Sequence, residues 1–223
     1  MPAALESRPH TDETLADLLK RLGGISPHRV LMHPHPGTAT EKDVIKALEA
    51  DRKRICELVE GVLVEKVVGT KESLLGCTLI QIILNFLDKT DLGIVIGADG
   101  PLRILRKLVR IPDVSFISWD RLPEGRLPDR PIANIVPDLA IEILSKGNTP
   151  REMARKIREY FKAGVRLVWL IDEKKQQAEV YTSPQHVKRI DKTGDLEGGE
   201  VLPGFRVSLA DLFSRGQRRG QKR

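Results

Sequence analysis

The stretch that decides the fold spans residues 136–171 and reads VPDLAIEILSKGNTPREMARKIREYFKAGVRLVWLI. Its two ends, 136–145 and 165–171, are nearly all apolar, which is typical of strands buried on both faces of a sheet. Between them, Thr149, Pro150 and Glu152 carry the start signals of a capped helix with a capping box, and Gly164 carries the stop signal. A strand, a helix and a second strand in this order predict a right-handed parallel crossover.

Further strands and helices are predicted on both sides of this unit. We expect helices at 14–22, 40–51, 70–89 and 209–213. We expect strands at 57–65 (a hairpin around Glu60 and Gly61), 95–96, 102–105, 108–118, 177–182 and 186–190. Together they predict one mixed α/β domain over residues 41–214.

The ends of the chain differ from this body. Residues 1–40 are rich in Pro, Gly and His, which predicts an N-terminal extension and linker that is only partly helical. Residues 215–223 carry five cations and no acid, and removing them from the net charge of +6 leaves +1. Such a basic tail could bind nucleic-acid phosphates without sequence preference, or simply be a solvated terminus.

Composition excludes several classes of protein. Of the 223 residues 40% are hydrophobic, which is enough for a core, and only 4% are aromatic, which disfavours a stacking platform for single strands. Two cysteines, Cys56 and Cys77, cannot form a zinc cluster or a disulfide framework. With no apolar run of about 18 residues and no signal-peptide core, we expect a cytoplasmic protein that does not span a membrane.

The informative residues are acids inside apolar strands. Glu142 lies between Ile141 and Ile143, where a carboxylate is costly unless it is paired with a cation or bound to a metal. Asp113 is similar, although a position beside Pro112 at a sheet edge would also explain it. Asp138 follows another proline, but four residues of strand put it roughly 13 Å from Glu142, too far to share one ion.

Three further charged residues have two interpretations each. Lys156 could form a surface pair with Glu152 or place a cation over the carboxylates. Glu72 begins the buried stripe of its helix, where it could reach a site or simply complement the helix dipole. Glu57 starts a strand and could point either way. Lys146, directly after the strand of Glu142, is a rival to Lys156 but is better explained as a solvated loop residue.

Several motifs follow one another in an order that resembles a known family. They are Glu57-Leu58-Val59-Glu60-Gly61, Ile111-Pro112-Asp113-Val114, Ala140-Ile141-Glu142-Ile143-Leu144-Ser145, Lys156 with Tyr160, Gly164-Val165 and Trp169. Over about residues 41–214 the chain resembles the Uma family of restriction endonuclease-like proteins, in the PD-(D/E)XK nuclease superfamily. The resemblance implies a single restriction-endonuclease-like domain with a central mixed sheet flanked by helices.

The resemblance also implies a function: a DNA endonuclease that depends on Mg²⁺ (or Mn²⁺) and leaves 5′-phosphates. The implied metal ligands are Asp113, Glu142 and the backbone carbonyl of Ile143. The implied catalytic residues are Asp113, Glu142, Lys156, Glu57 and Glu72. Leu144 stands at the usual lysine position, so the lysine would come from the following helix as Lys156, and the choice of additional acid among Glu57, Glu60 and Glu72 stays open.

Two other functions fit the same residues. The fold could have lost catalysis and serve as a DNA-binding or assembly module, or it could cut RNA. For an enzyme that cuts both strands of DNA, a symmetric homodimer is the expected arrangement.

Overall fold

The computed structural model describes residues 13–215. Its helices are α1 Leu15–Arg21, α2 Glu41–Glu49, α3 Thr70–Thr90, α4 Pro150–Ala163 and α5 Leu209–Ser214. Its strands are β1 Cys56–Val59, β2 Val62–Glu65, β3 Gly93–Gly97, β4 Leu102–Leu105, β5 Leu108–Arg110, β6 Val114–Ser118, β7 Leu139–Ile143, β8 Leu167–Asp172, β9 Gln177–Tyr181, β10 Val187–Ile190, β11 Asp195–Glu197 and β12 Arg206–Ser208. No helix within the described range is long and apolar enough to cross a lipid bilayer.

The strands form a large sheet, a small sheet and a two-stranded ribbon. The large sheet has the order β10-β9-β8-β7-β6-β3, and the small sheet has the order β2-β1-β5-β4. In the large sheet β7 and β8 pair in parallel through α4, which confirms the predicted parallel crossover, while the other neighbours are antiparallel. The architecture is therefore the mixed α/β fold expected from the sequence.

Alternate residues of β7 face opposite sides of the large sheet. Leu139 and Ile141 belong to the hydrophobic cluster that includes residues of α3 and α5. Ala140 belongs to a second cluster, which includes residues of α4 and the small sheet. Because side chains alternate along a strand, Glu142 shares the side of Ala140 and faces α4.

The predicted strand at 108–118 is wrong as a single element. The chain leaves the small sheet at the end of β5 and enters the large sheet at β6, so residues 111–113 lie between the two sheets. Hydrophobicity could not show this break, because Ile111 stays fully buried within it. Pro112 offers no backbone N–H for either ladder, which suits a crossing point.

The N-terminal segment that the structure describes, residues 13–40, packs onto the domain. Leu18, Leu22, Ile25 and Val30 are buried in the cluster that includes residues of α4. The Gly- and Pro-rich stretches between such anchors mark turns. The tail predicted over 215–223 lies outside the described residues, apart from Arg215.

The start of α4 forms only part of the predicted capping box. The hydroxyl of Thr149 accepts a hydrogen bond from the backbone N–H of Glu152 at 3.0 Å. The carboxylate of Glu152 does not return to Thr149, because it binds the guanidinium of Arg29 at 2.8 and 2.9 Å. The N-terminal segment is thus bound to the first turn of α4.

Candidate active site

A small cavity of about 20 Å³ lies where the two sheets meet the start of α3 and α4. Its wall gathers three acids and three bases: Glu72, Asp113, Glu142, Arg29, Lys66 and Lys156. Ile143 also lines it. Four of the five predicted catalytic residues and all three predicted metal-binding residues therefore face one cavity, and Glu57 does not line it.

Asp113 is positioned by the break between β5 and β6. Its backbone N–H donates to the carbonyl of Ile141 at 2.9 Å, and its Oδ2 accepts from the N–H of Ile143 at 2.6 Å. Its Oδ1 lies 2.9 Å from the Nζ of Lys66. These bonds fix the carboxylate against the end of β7, the strand that carries Glu142.

Glu142 projects from β7 toward α4. It accepts hydrogen bonds from the Nζ of Lys156, at 3.1 and 3.2 Å, and from the hydroxyl of Tyr160. Burial raises the pKa of Glu142, Lys156 opposes this, and the charge of Asp113 raises it further, so that the pKa lies above its ordinary value. Asp113 is bound to the backbone N–H of Ile143, the residue after Glu142, so the two acids lie at the same end of β7.

Lys156 lies between two carboxylates and does not form the alternative surface pair with Glu152. Its Nζ is 3.1 Å from an oxygen of Glu142 and 3.1 Å from an oxygen of Glu57. Burial alone lowers the pKa of Lys156, but these two acids outweigh it, and the pKa lies above its ordinary value. The lysine therefore stays charged although its side chain is only 3% exposed.

Glu57 lies behind Lys156. It points inward from β1, where it binds the guanidinium of Arg110 at 2.6 Å and the N–H of Ile111 at 3.1 Å. Burial raises the pKa of Glu57, but Lys156 and Arg110 together outweigh this and lower it well below its ordinary range. Glu57 is therefore an ionised partner of Lys156.

Glu72 lies in the first turn of α3, on the wall of the cavity. Its carboxylate folds over Gly69 so closely that a side chain there would collide with it. Among residues 13–215 it has neither a hydrogen-bond nor an ion-pair partner. It is thus the acid of this cavity whose oxygens remain open.

Sequence reasoning missed Lys66 and Arg29. Lys66 follows β2, and the alternation of Val62, Val64 and Lys66 is a signal that would have predicted an inward side chain. Arg29 carries no such signal, because it lies in a short 3₁₀ turn far along the chain from every residue it binds.

The remaining candidates lie elsewhere. Asp138 accepts from the N–H of Ser118 and from Arg121, both at 2.9 Å, so it ties the start of β7 to its neighbours. Lys146 is exposed in the loop after β7. Glu60 occupies the hairpin turn with a positive φ of 51° and pairs with Arg155 at 2.6 Å.

The donor set can be tested against a divalent ion. Within residues 13–215 no group of three Asp, Glu, His or Cys side chains is arranged to hold a metal by itself. Mg²⁺, however, is commonly held by one or two carboxylates, with water and substrate phosphate supplying the other oxygens. Asp113 and Glu142 fit that requirement, although Lys66 already occupies one oxygen of Asp113.

Comparison with known proteins agrees with the resemblance seen in the motifs. The model of the Uma2 family, described as "Putative restriction endonuclease", matches residues 44–210. The crystal structure of a "putative nuclease belonging to DUF820" from Anabaena variabilis ATCC 29413 matches with a TM-score of 0.64 and 23% identity. The match covers 72% of this chain and 90% of that one, and it shows a shared fold. No curated protein matches the chain.

Proposed function

This chain belongs to the Uma2 family of restriction endonuclease-like proteins, and on that basis we propose that it is a metal-dependent DNA endonuclease. The observation that carries the proposal is the meeting of two buried acids from different strands. Asp113 and Glu142 are 29 positions apart in sequence, yet both line one cavity together with a buried lysine. Buried acids at one cavity are costly, which favours a functional reason for them.

The proposed reaction is hydrolysis of a phosphodiester. The oxygen of a water molecule forms a bond to phosphorus, the bond from phosphorus to the 3′ oxygen breaks, and a proton goes to that oxygen. The products are a 5′-phosphate and a 3′-hydroxyl. Mg²⁺ or Mn²⁺, when bound, would neutralise phosphate charge and lower the pKa of its water.

Residues of the chain would bind the cation, orient Glu142 and stabilise the reacting phosphate. Asp113, Glu142 and the carbonyl of Ile143 would hold the cation. Lys156 keeps Glu142 oriented through its two hydrogen bonds. A fixed cation near the reacting phosphate is typically worth ~3–4 kcal/mol of barrier, and the family resemblance implies Lys156 as its source.

The two additional acids have different proposed parts. Glu72 is on the cavity wall with open oxygens, so it is the better candidate for binding water or the cation. Glu57 acts through Lys156, because its carboxylate contacts that lysine and does not line the cavity.

One observation favours a second function, a nuclease-like fold that binds nucleic acid without cutting it. Asp113 is already paired with Lys66, and Glu142 with Lys156, so the acids are neutralised without a metal. A measurement of divalent-cation binding distinguishes the two functions, because the nuclease requires the cation and the non-cutting fold does not.

Cleavage of supercoiled plasmid in Mg²⁺ or Mn²⁺ tests the nuclease. The parent should nick or linearise the DNA, and chelation should stop it. Asp113→Asn and Glu142→Gln should each lower the rate by about 100-fold or more, whereas Asp99→Asn, at a side chain that is 67% exposed, should leave it unchanged. If the parent cuts RNA but not DNA, the protein is an RNase. If all variants cut DNA at the rate of the parent, the assignment of the site is overturned.

We also propose a cytoplasmic homodimer. Cutting both strands of a duplex suits two sites related by a two-fold axis. The cysteines are free, Cys56 being buried and Cys77 exposed, and free thiols suit a reducing compartment.

A further inference from the structure

The two lysines at the cavity differ in how many of their N–H donors are already used. An ammonium has three donors. The Nζ of Lys156 faces three carboxylate oxygens, two of Glu142 and one of Glu57, at 3.1 to 3.2 Å. Two donors of Lys156 are therefore used in hydrogen bonds to Glu142, and its charge also faces the ion-pair partner Glu57.

Lys66 has a donor left. Its Nζ binds the carbonyl of Ile111 at 2.6 Å and the Oδ1 of Asp113 at 2.9 Å. These are its partners within residues 13–215, the first a hydrogen bond and the second an ion pair, so at least one N–H remains. The side chain is 7% exposed and lines the cavity beside Asp113 and Glu142. A spare donor on a fixed ammonium is what an anionic oxygen of a substrate would meet there.

We propose that Lys66 is the lysine that contacts the scissile phosphate, and that Lys156 is a positioning residue that holds Glu142. The proposal rests on the proposed nuclease function and moves the catalytic lysine from α4 to the end of the β1–β2 hairpin. In the reaction, the free N–H of Lys66 donates to a non-bridging phosphate oxygen, where negative charge grows. No covalent bond to Lys66 is made or broken.

A second consequence concerns the cation. Lys66 holds Asp113 by its Oδ1, so a divalent ion that binds this carboxylate has to compete with the ammonium and is repelled by it. Removing the charge of Lys66 should therefore strengthen metal binding while it weakens catalysis. A residue that only supports the fold would not raise the affinity for a metal.

The experiment compares Lys66→Met and Lys66→Arg with the parent. Mn²⁺ affinity is measured by calorimetry without DNA, and cleavage of plasmid is measured at saturating Mn²⁺. Lys71→Met is the matched control, because Lys71 lies on the first turn of α3 with a side chain that is 76% exposed. Urea unfolding shows that each variant is folded at the assay temperature.

Lys66→Met should bind Mn²⁺ about 10-fold or more tightly, since a positive charge beside the site is gone. It should cleave about 100-fold or more slowly, and Lys66→Arg should recover part of that rate. Cleavage by Lys66→Met within threefold of the parent, about 0.7 kcal/mol, would overturn the proposal.

A parent that cuts no nucleic acid would defeat the proposed function and leave the lysine assignment to two other measurements. These are the Mn²⁺ affinity and the affinity for an uncut DNA duplex. If Lys66→Met binds Mn²⁺ more tightly and the duplex more weakly than the parent, a contact between Lys66 and phosphate is supported. If either affinity equals that of the parent, the proposal is overturned.

Discussion

At the scale of single residues, the centre of the molecule is a chain of alternating charges. It runs from Glu142 through Lys156, Glu57 and Arg110 to Glu159. Each inner member has a partner on either side, so its loss takes one partner away from two charges, and removing one partner of a buried ion pair typically costs about 3–5 kcal/mol. The position of Glu142, which lines the cavity, thus depends on Glu57 and Arg110, which do not line it.

Glu57→Gln tests this chain through the pH dependence of stability. A carboxylate whose pKa is lowered by folding stabilises the protein above its unfolded pKa, and that stabilisation is lost as the pH falls through the folded pKa. The ordinary value for Glu57 is 4.5, and its folded pKa lies well below that. At pH 7 the variant should lose about 3–5 kcal/mol of unfolding free energy. The difference in unfolding free energy between the parent and Glu57→Gln should become smaller below pH 4.5.

Urea unfolding at a series of pH values from 7 to about 3 measures this gap. Glu41→Gln is the control, because its pair with Arg103 is one-third exposed and should contribute less than about 1 kcal/mol. A gap between parent and Glu57→Gln that stays constant with pH would show that Glu57 is not held ionised by its neighbours.

Some of these residues could be predicted from the sequence and others could not. Asp113, Glu142 and Lys156 are conspicuous because they are charged residues in apolar strands or on the helix that follows. The orientation of Glu57 depends on which face of β1 meets α4, and this is a matter of tertiary packing. Arg29 was missed because all its partners are distant in sequence, including Gly147 and Glu152.

At the scale of elements, α4 is fixed at both ends. Gly164 ends the helix with a φ of 101°, a left-handed conformation that favours glycine. At the other end Arg29 binds the carboxylate of Glu152, the carbonyl of Gly147 and the carbonyl of Glu65. Because Glu65 precedes Lys66, one arginine joins the segments that carry both lysines of the cavity.

Arg29→Met should therefore destabilise the protein by about 3–5 kcal/mol, since it leaves the carboxylate of Glu152 buried and unpaired. Limited proteolysis should cut the variant within residues 13–39 faster than the parent. The double variant Arg29→Met with Glu152→Met should recover much of the loss, because no charge is then left alone. Equal unfolding free energies of Arg29→Met and the parent would contradict this function of Arg29.

The elements that the sequence predicted best are those with signals at their own ends. The crossover unit has a cap at Thr149 and a stop at Gly164, so its helix could be placed closely. The break at Pro112 was harder to place, because the apolar residues on its two sides, Ile111 and Val114, are fully buried whichever sheet they join. The pairing of β1 with β5 also could not be predicted, since it joins segments about 50 positions apart.

At the scale of the whole molecule, the cavity exists because two sheets and two helices converge there. Asp113 comes from the crossing between the sheets, Glu142 from the large sheet, and Lys66 from the end of the small sheet. Residues 44–210 match the family, whereas Arg29 lies before them. The N-terminal segment is therefore an addition to the matched region that contributes to the wall of the site.

Mn²⁺ binding, followed by calorimetry, tests the central claim that Asp113 and Glu142 act on one divalent ion. The parent should bind Mn²⁺ at a site that is lost in Asp113→Asn and also in Glu142→Gln, with Asp99→Asn binding as the parent does. Loss in both single variants is expected because each acid supplies a ligand that the other cannot replace. A parent that binds no Mn²⁺, or two variants that bind it as tightly as the parent, would contradict the claim.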